Sequence, residues 1–389
     1  MRTTRRDRHA KHLRVLQVTP SVGPRDGGPS VVIMAINRAL RNRGVACIIC
    51  STDADGRDGR LSANEQVRIG AVRFFRVHWP RRMNTSIGMT VSLYRYVRRA
   101  DIVHVHYVNA WPSLVATMYC RIFNKPYVVQ PHGGLEPYHM AKSSQVKALF
   151  ELLSGTVKNA DALVLATETE AARISMAPKS RKFVLPLGAL PTACSSSPVT
   201  EGPEVLFLAR LAPKKRLDVL LHAWVQVVRE IPAARLHVVG PDTDGLLDGY
   251  RHLVASLSLE RAVRFSGLLL GEEKQLAFAG AAIFALPSEN ESFGVAVAEA
   301  LSAGLPVVVS ENVAIADEVR AAGAGVVVPG LEPGEWAQEL TALLRDGARR
   351  LAMSAAARRL ASERFSWEKA ALRLEQVYRA LLDGSGLPQ

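Results

Sequence analysis

Short runs of β-branched and other apolar residues alternate along this chain with longer stretches in which apolar positions recur every three or four residues. In the first half, LRVLQVTP, VACIICSTD, AVRFFRV, DIVHVHY, PYVVQPHG, DALVLAT and KFVLPLG read as strands, separated mostly by helix-length segments such as Pro29 to Arg43 and Lys142 to Asn159. Strands that are apolar throughout, rather than alternating, belong to parallel sheets covered by helices on both faces. The segment PTACSSSPVTEGPE, Pro191 to Glu204, has the Pro, Ser and Thr content of a linker. After it the alternation restarts with EVLFLAR, RLHVVGP, AVRFSG, AAIFALP, PVVVS and GVVVP. The pattern predicts an α/β chain of two doubly wound parallel-sheet, Rossmann-like domains joined near residue 197. Ligands of such sheets sit beyond the carboxyl ends of the strands. Two facing domains would therefore hold one ligand in the cleft between them.

Composition narrows the class. A chain of 389 residues exceeds what one core usually supports, and 48% hydrophobic with 22% charged residues is ordinary for a globular protein. Cys47, Cys50, Cys120 and Cys194 are too few for a disulfide scaffold, and no charged start with an apolar middle marks a signal peptide. A reduced, cytoplasmic location is the expectation. Cys47 and Cys50 form a C-x-x-C within a strand, where positions three apart face opposite ways, so both read as small core residues. The longest apolar run, Leu276 to Pro287, is too short to span a bilayer.

Charge is unevenly placed. Residues 1–195 hold 29 Lys and Arg against 12 Asp and Glu, a net +17, and residues 196–389 hold 20 against 24, a net −4. The first half is thus suited to an anionic partner. Its first twelve residues, MRTTRRDRHAKH, read as a solvated basic tail. Arg73, Arg76, Arg81, Arg82, Arg95, Arg98 and Arg99 surround Ile87, Val91, Leu93, Tyr94 and Val97, a pattern that fits both membrane-surface contact and a helix packed on its own sheet. Nucleic acid is not expected as a partner, because no aromatic platform, zinc-finger spacing or RNA-binding signature accompanies these arginines.

Candidate chemistry clusters at the strand ends. Gly27 and Gly28 follow the first strand and open a helix, where backbone can approach a phosphate or carboxylate, although an ordinary turn fits equally. His132 follows PYVVQP and precedes Gly133 and Gly134. His104 and His106 share a strand face without an identifiable third metal ligand. Arg210 lies just past a strand, and Lys215 lies near the start of the next helix, a spacing suited to clamping a diphosphate or to exposed loop cations. Lys214 and Arg216 read as solvated. In AAIFALPSENESFGVAVAEALSAG, a helix is expected from about Ser292, with Glu291 at its mouth and Glu299 about two turns inside. A carboxylate in such an apolar segment requires a bonding partner, and sugar hydroxyls are suitable donors. Glu291 complementing a helix dipole and Glu299 facing water fit the spacing equally.

This stretch resembles the E-x7-E signature of the retaining nucleotide-sugar glycosyltransferases of the GT-B fold, specifically the large family-four group that includes bacterial polysaccharide and mannosyl transferases. The resemblance extends over nearly the whole chain: Gly27-Gly28, His132-Gly133, Arg210 with Lys215, SENESFGVAVAEALSAGLPVVVS, and the terminal FSWEKAALRLEQVYRALL, whose Trp367 and Tyr378 lie on a helix resembling the one that crosses back onto the first domain. After the basic tail at 1–12, it implies an acceptor-side domain at 13–197, a nucleotide-sugar domain at 198–365 and a returning helix at 366–389. It implies that Glu291 contacts the donor sugar, that amides around Phe293 and Gly294 approach sugar or phosphate, and that Glu299 holds the ribose hydroxyls. Arg210 and Lys215 would bind the diphosphate, and His132 would lie beside the transferred sugar. Three motifs depart from the family: Gly-Arg reads Ala209-Arg210, Lys-Gly reads Lys215-Arg216, and the Asn-Gly-Val/Ile-Asp closing the first domain reads LGAL, Leu187 to Leu190, within PLGAL.

The implied activity is retaining transfer of a hexose from a UDP- or GDP-sugar to a saccharide or polyprenyl-diphosphate-linked acceptor in surface polysaccharide synthesis. No cofactor and no metal are expected, since Asp242 and Asp244 in PDTDG are explained by a turn. Peripheral association with an anionic inner membrane surface follows from the basic half. A nucleotide-sugar epimerase and a non-catalytic sugar-nucleotide-binding partner of an assembly complex are the rival readings.

Overall fold

The structure is a computed structural model, and it describes residues 13–135, 155–174, 181–189 and 202–387. The expected basic tail, Cys194, most of the helix expected from Lys142 to Asn159 and most of the expected linker lie outside the described residues. The chain divides into two units, residues 1–187 with 367–389, and residues 188–366. The division falls between Leu187 and Gly188, so that Gly188 and Ala189 of PLGAL belong to the second unit, where the Ala189 amide donates to the Phe365 carbonyl.

In the first unit, β1 (Arg14–Thr19) and β2 (Ala46–Thr52) precede a small antiparallel ribbon of β3 (Ala54–Asp55) and β4 (Gly59–Arg60). They are followed by β5 (Val72–Phe75), β6 (Ile102–His106), β7 (Tyr127–Gln130), β8 (Ala162–Leu165) and β9 (Lys182–Val184). Apart from the ribbon these strands form one parallel sheet ordered β5-β2-β1-β6-β7-β8-β9. The second unit repeats the arrangement with β10 (Glu204–Leu208), β11 (Arg235–Val239), β12 (Val263–Gly267), β13 (Ile283–Leu286), β14 (Val307–Ser310) and β15 (Gly325–Val328), ordered β12-β11-β10-β13-β14-β15. In both sheets the strand order reverses beside the first strand, which opens a crevice at the carboxyl ends there.

Burial explains why these segments are strands and helices. The inner strands β6, β7, β8, β13 and β14 are buried at every position, because helices cover both sheet faces. The helix Gly28–Asn42 buries Val32, Ile33, Ile36, Ala39 and Leu40 at helical spacing, and Leu217–Glu230 buries Leu217, Leu220, Leu221, Trp224 and Val227 likewise. Cys47 and Cys50 lie in the sheet as buried thiols, and burial pushes both up to about 12. The last helix, Trp367–Asp383, packs on Gly28–Asn42 within the first unit and buries Ala370, Ala371, Leu374 and Tyr378, and Arg43 Nε donates to Glu375 at 2.9 Å.

One polar seam crosses this apolar interior. His104 and His106, two apart on β6, point to the same face with ring centroids 4.2 Å apart, and His132 stacks on His106 at 5.2 Å. His104 Nδ1 is hydrogen-bonded to the Tyr378 hydroxyl at 2.6 Å, and His106 Nδ1 to His132 Nε2 at 3.0 Å. The second bond needs one ring nitrogen with its hydrogen and one without, so the pair cannot both be imidazolium. Burial holds His104 and His132 down to about 3 and His106 well below its ordinary value.

These depressed values set a pH window. The unfolded chain binds protons on these rings below about pH 6.5 while the folded chain does not, so stability is fully present above that pH and falls as the pH drops toward 3. Of the ring resonances in a histidine NMR titration, three are expected to stay unshifted down to about pH 5, with the melting temperature declining across the same interval. Ten rings titrating together near pH 6.5 would contradict the seam.

Candidate active site

At the reversal point of the second sheet two connections meet. After β10 the chain passes Ala209 and Arg210, makes the tight turn Pro213–Lys215, and enters the helix at Leu217. After β13 it passes Ser288 and bends before the next helix: Glu291 forms a bridge with Val313, donating its amide to the Asn312 carbonyl at 3.1 Å and accepting from the Ala314 amide at 3.1 Å. The helix therefore begins at Val295, not at the expected Ser292, and Glu299 is its fifth residue, a little over one turn inside rather than two. Backbone pairing with residues 312–314, which sequence periodicity cannot register, is the reason. Gly294 makes the corner at φ +96°, where an added Cβ would meet Val313 at 3.0 Å and Val297 at 3.3 Å. Only glycine takes that conformation without strain.

Lys215 Nζ and Glu291 Oε1 form an ion pair, with side chains 14% and 13% exposed, and Ser288 Oγ donates to the same oxygen at 2.9 Å. Burial alone would raise the Glu291 carboxyl, but the charges of Lys215 and Lys214 and the hydrogen bonds from Lys215 and Ser288 outweigh it and hold the group below its usual range. Glu291 is accordingly an anion next to a cation at neutral pH. Arg210 is half-buried past β10 and makes no ion pair among the described residues. The two connections are also tied through backbone, the Glu289 amide donating to the Lys214 carbonyl at 2.8 Å.

Arg216 is not the solvated residue its sequence suggested. It adopts a left-handed conformation, φ +50° and ψ 44°, and its guanidinium reaches Asp218 at 3.0 Å and Glu289 at 2.9 Å, with a side chain 28% exposed. It thereby straps the β10 connection to the β13 connection beside the Lys215–Glu291 pair. An open hollow of about 460 Å³ adjoins this strap, lined by Pro213, Arg216, Asp218, Tyr250, Leu253 and Glu289. The geometry also gives a physical reason for glycine where the related motif has Lys-Gly, because this position requires a positive φ.

Glu299 is buried, and both its oxygens accept from Lys274 Nζ at 2.7 Å. The two carboxylates of the E-x7-E spacing therefore have separate lysines. Phe293 is 3% exposed and packs edge-on against Phe365 at 5.5 Å, so its side chain anchors the corner and only its backbone is left to meet a ligand. Asp242 accepts from the Leu246 and Leu247 amides at 2.9 and 3.0 Å, the turn its sequence implied.

In the first unit, Gly27 takes φ +79° after the turn Pro24–Asp26, and the helix starts at Gly28. Ser21 Oγ donates to Asp26 at 2.5 Å and the Arg25 amide to Asp55 at 2.9 Å, which fixes this loop against the ribbon. His132 and Gly133 both have positive φ, +51° and +76°, at the end of β7. Sequence reasoning missed what holds them. Glu170, 2% exposed, accepts from the Gly133 amide at 3.1 Å and from the Ala166 amide at 2.7 Å, joining the ends of β7 and β8. The T-x-x-E spacing of Thr167 and Glu170 was the available signal, but it reads as a helix cap, which it also is: Thr167 Oγ1 accepts from the Glu170 amide at 3.1 Å.

Comparison with known proteins gives the family and the fold. Residues 26–189 match the family described as Glycosyltransferase Family 4, and residues 195–360 that described as Glycosyl transferases group 1. The D-inositol 3-phosphate glycosyltransferase of Xylanimonas cellulosilytica is 32% identical over 398 aligned positions, covering 90% of this chain and 91% of that protein. The enzyme of the same name from Streptomyces bingchenggensis is 35% identical over 188 residues, 46% of this chain and 41% of that protein, so this match spans less than half of the relative. Among solved structures, Anabaena HepE in complex with UDP-glucose superposes with a TM-score of 0.77 at 18% identity, covering 95% of this chain and all of that one. Sucrose-phosphate synthase from Thermosynechococcus elongatus gives 0.76 at 18%, covering 96% and 100%. The chain thus belongs to the GT-B glycosyltransferases, with a family-four first half and a group-1 second half.

Proposed function

We propose that the chain transfers a hexose, with retention of anomeric configuration, from a UDP- or GDP-sugar to a saccharide or polyprenyl-diphosphate-linked acceptor in bacterial surface polysaccharide synthesis, working at an anionic membrane surface. The Lys215–Glu291 pair with Ser288, at the carboxyl ends of β10 and β13, is the observation that carries this reading. Arg210 and Lys215 would hold the donor diphosphate, and no metal is needed to neutralise it. Glu291 would accept from the sugar hydroxyls and stabilise positive charge as the C1–O bond to the diphosphate lengthens. The acceptor oxygen attacks C1 from the same face, and its proton passes to the departing diphosphate oxygen. Glu299 would meet the ribose hydroxyls, exchanging part of its bond to Lys274 for them. Within the first unit, His132 and the Gly27–Gly28 loop would meet substrate. UDP-glucose in the Anabaena complex supports a nucleotide-sugar donor.

The name of the relatives favours one second reading, in which the acceptor is an inositol phosphate. The two differ in assay: incorporation into lipid-linked saccharide against incorporation into a phosphorylated polyol, with the same labelled donor panel.

Glu291→Gln keeps volume but removes the charge facing Lys215. Turnover is expected to fall by about a hundredfold or more, the usual loss when one preorganised electrostatic contact is removed. Glu291→Ala should lower turnover similarly and in addition lower the melting temperature, since it strands a mostly buried ammonium. Near-native transfer by either variant would sink the assignment.

Arg216→Gly removes the strap and relieves left-handed strain together, so the melting temperature should barely move. Partly exposed ion pairs are individually weak, which limits the rise in donor KM to about tenfold, with kcat changed less. An unchanged donor KM would show that the two connections hold their places without the strap.

A further inference from the structure

The helix Ile87–Arg99 has two faces of different character. Met89, Leu93 and Val97, each at most 1% exposed, pack it onto the first sheet. On the opposite side Ile87, Val91 and Tyr94 follow one another at spacings of four and three and are 65%, 63% and 36% exposed. Arg98 continues the same stripe by helical spacing, with Arg95 and Arg99 beside it and exposed. Trp79, 88% exposed, belongs to the loop before this helix, and the His78 amide donating to the Thr85 carbonyl at 2.7 Å closes that loop onto the helix start. Exposed Arg82 lies in the same loop.

Residues 66–100 contain eight arginines and no Asp or Glu. Arg82, Arg95, Arg98 and Arg99 make no ion pair among the described residues. A stripe of large apolar side chains edged by guanidinium groups that make no ion pair, of which Arg95 donates to the Tyr94 hydroxyl at 3.0 Å, matches the boundary of a bilayer, where acyl chains lie beneath a layer of phosphates. Trp and Tyr are the aromatic side chains suited to that depth, with an apolar body and a polar tip. A second copy of the chain is a poor occupant, because a two-fold interface on this face would set arginines against arginines. Nucleic acid would use the charge but leave Ile87 and Val91 without a role.

We propose that this face, Trp79 with the exposed side of Ile87–Arg99, docks the protein on an anionic lipid surface. The proposal deepens the membrane-surface partner of the preceding section by naming the residues that make the contact. Apolar side chains enter the headgroup layer while the arginines meet lipid phosphates, so the helix lies along the surface.

The test uses the full chain in co-sedimentation with phosphatidylcholine vesicles, with and without phosphatidylglycerol, at low and high salt. Binding is expected only with phosphatidylglycerol and should weaken at high salt, and lipid-borne bromine should quench Trp79, the most exposed of the five tryptophans. Trp79→Ser, the pair Ile87→Ser with Val91→Ser, and the triple Arg95→Gln, Arg98→Gln, Arg99→Gln should each lose about tenfold or more in partitioning. All alter exposed positions, so their melting temperatures and their stabilisation by UDP-sugars in vesicle-free solution should match those of the parent. Equal binding to both vesicle types, or undiminished binding by the variants, overturns the proposal. So does retention on duplex DNA or RNA in place of vesicles, or a dimer that the Ile87 and Val91 changes abolish. Loss of nucleotide-sugar binding by the parent would count against the transferase reading and leave the docking surface standing.

Discussion

A carboxylate removed from water must meet a positive charge or donors, and that requirement organises the second unit around Glu291. Lys215 and Ser288 satisfy it from the β10 and β13 connections respectively, and the two connections are adjacent because the strand order reverses between those strands. The same reversal places Arg210 at one strand end and the Gly294 corner after the other. Charge pairing and sheet topology therefore act as one constraint: moving either connection would strand an ion.

The first unit meets a comparable requirement differently. Its interior polar groups, His104, His106, His132 and Tyr378, are kept neutral by burial and bond to one another, and the carboxylate of Glu170 is engaged by backbone amides. The rings thus satisfy one another without charge, whereas Lys215 and Glu291 satisfy one another through opposed charges. The tie from Tyr378 to His104 also joins the last helix of the chain to a central strand of the first sheet. Arg216 shows the opposite economy. It accepts left-handed backbone strain in return for contacts to Asp218 and Glu289 that glycine could not make.

Outside these centres the surface is divided by charge. The basic first unit carries eight arginines and no Asp or Glu over residues 66–100 and an exposed apolar stripe on one helix, while in the second unit Arg264 pairs with Glu204, Lys274 with Glu299 and Arg345 with Glu230 across separate elements.

Local pattern alone was enough to read the alternation of buried strands and helices, the restart of the pattern, the placement of Arg210, Lys215, Glu291 and Glu299 at or after strand ends, and the turn at Asp242. Each depends on neighbours within a few positions or on the continuous apolar character of a covered parallel strand. Tertiary structure decided the rest. It gave Lys215 to Glu291 and Lys274 to Glu299, pairs separated by 76 and 25 positions. It delayed the helix to Val295 by pairing Glu291 with residues 312–314, and it made Glu170 and Arg216 into ties between connections. Periodicity reports how a segment faces its surroundings, but the partner of a charge or an amide is set by which strand ends the fold brings together, and that information is spread over the whole chain.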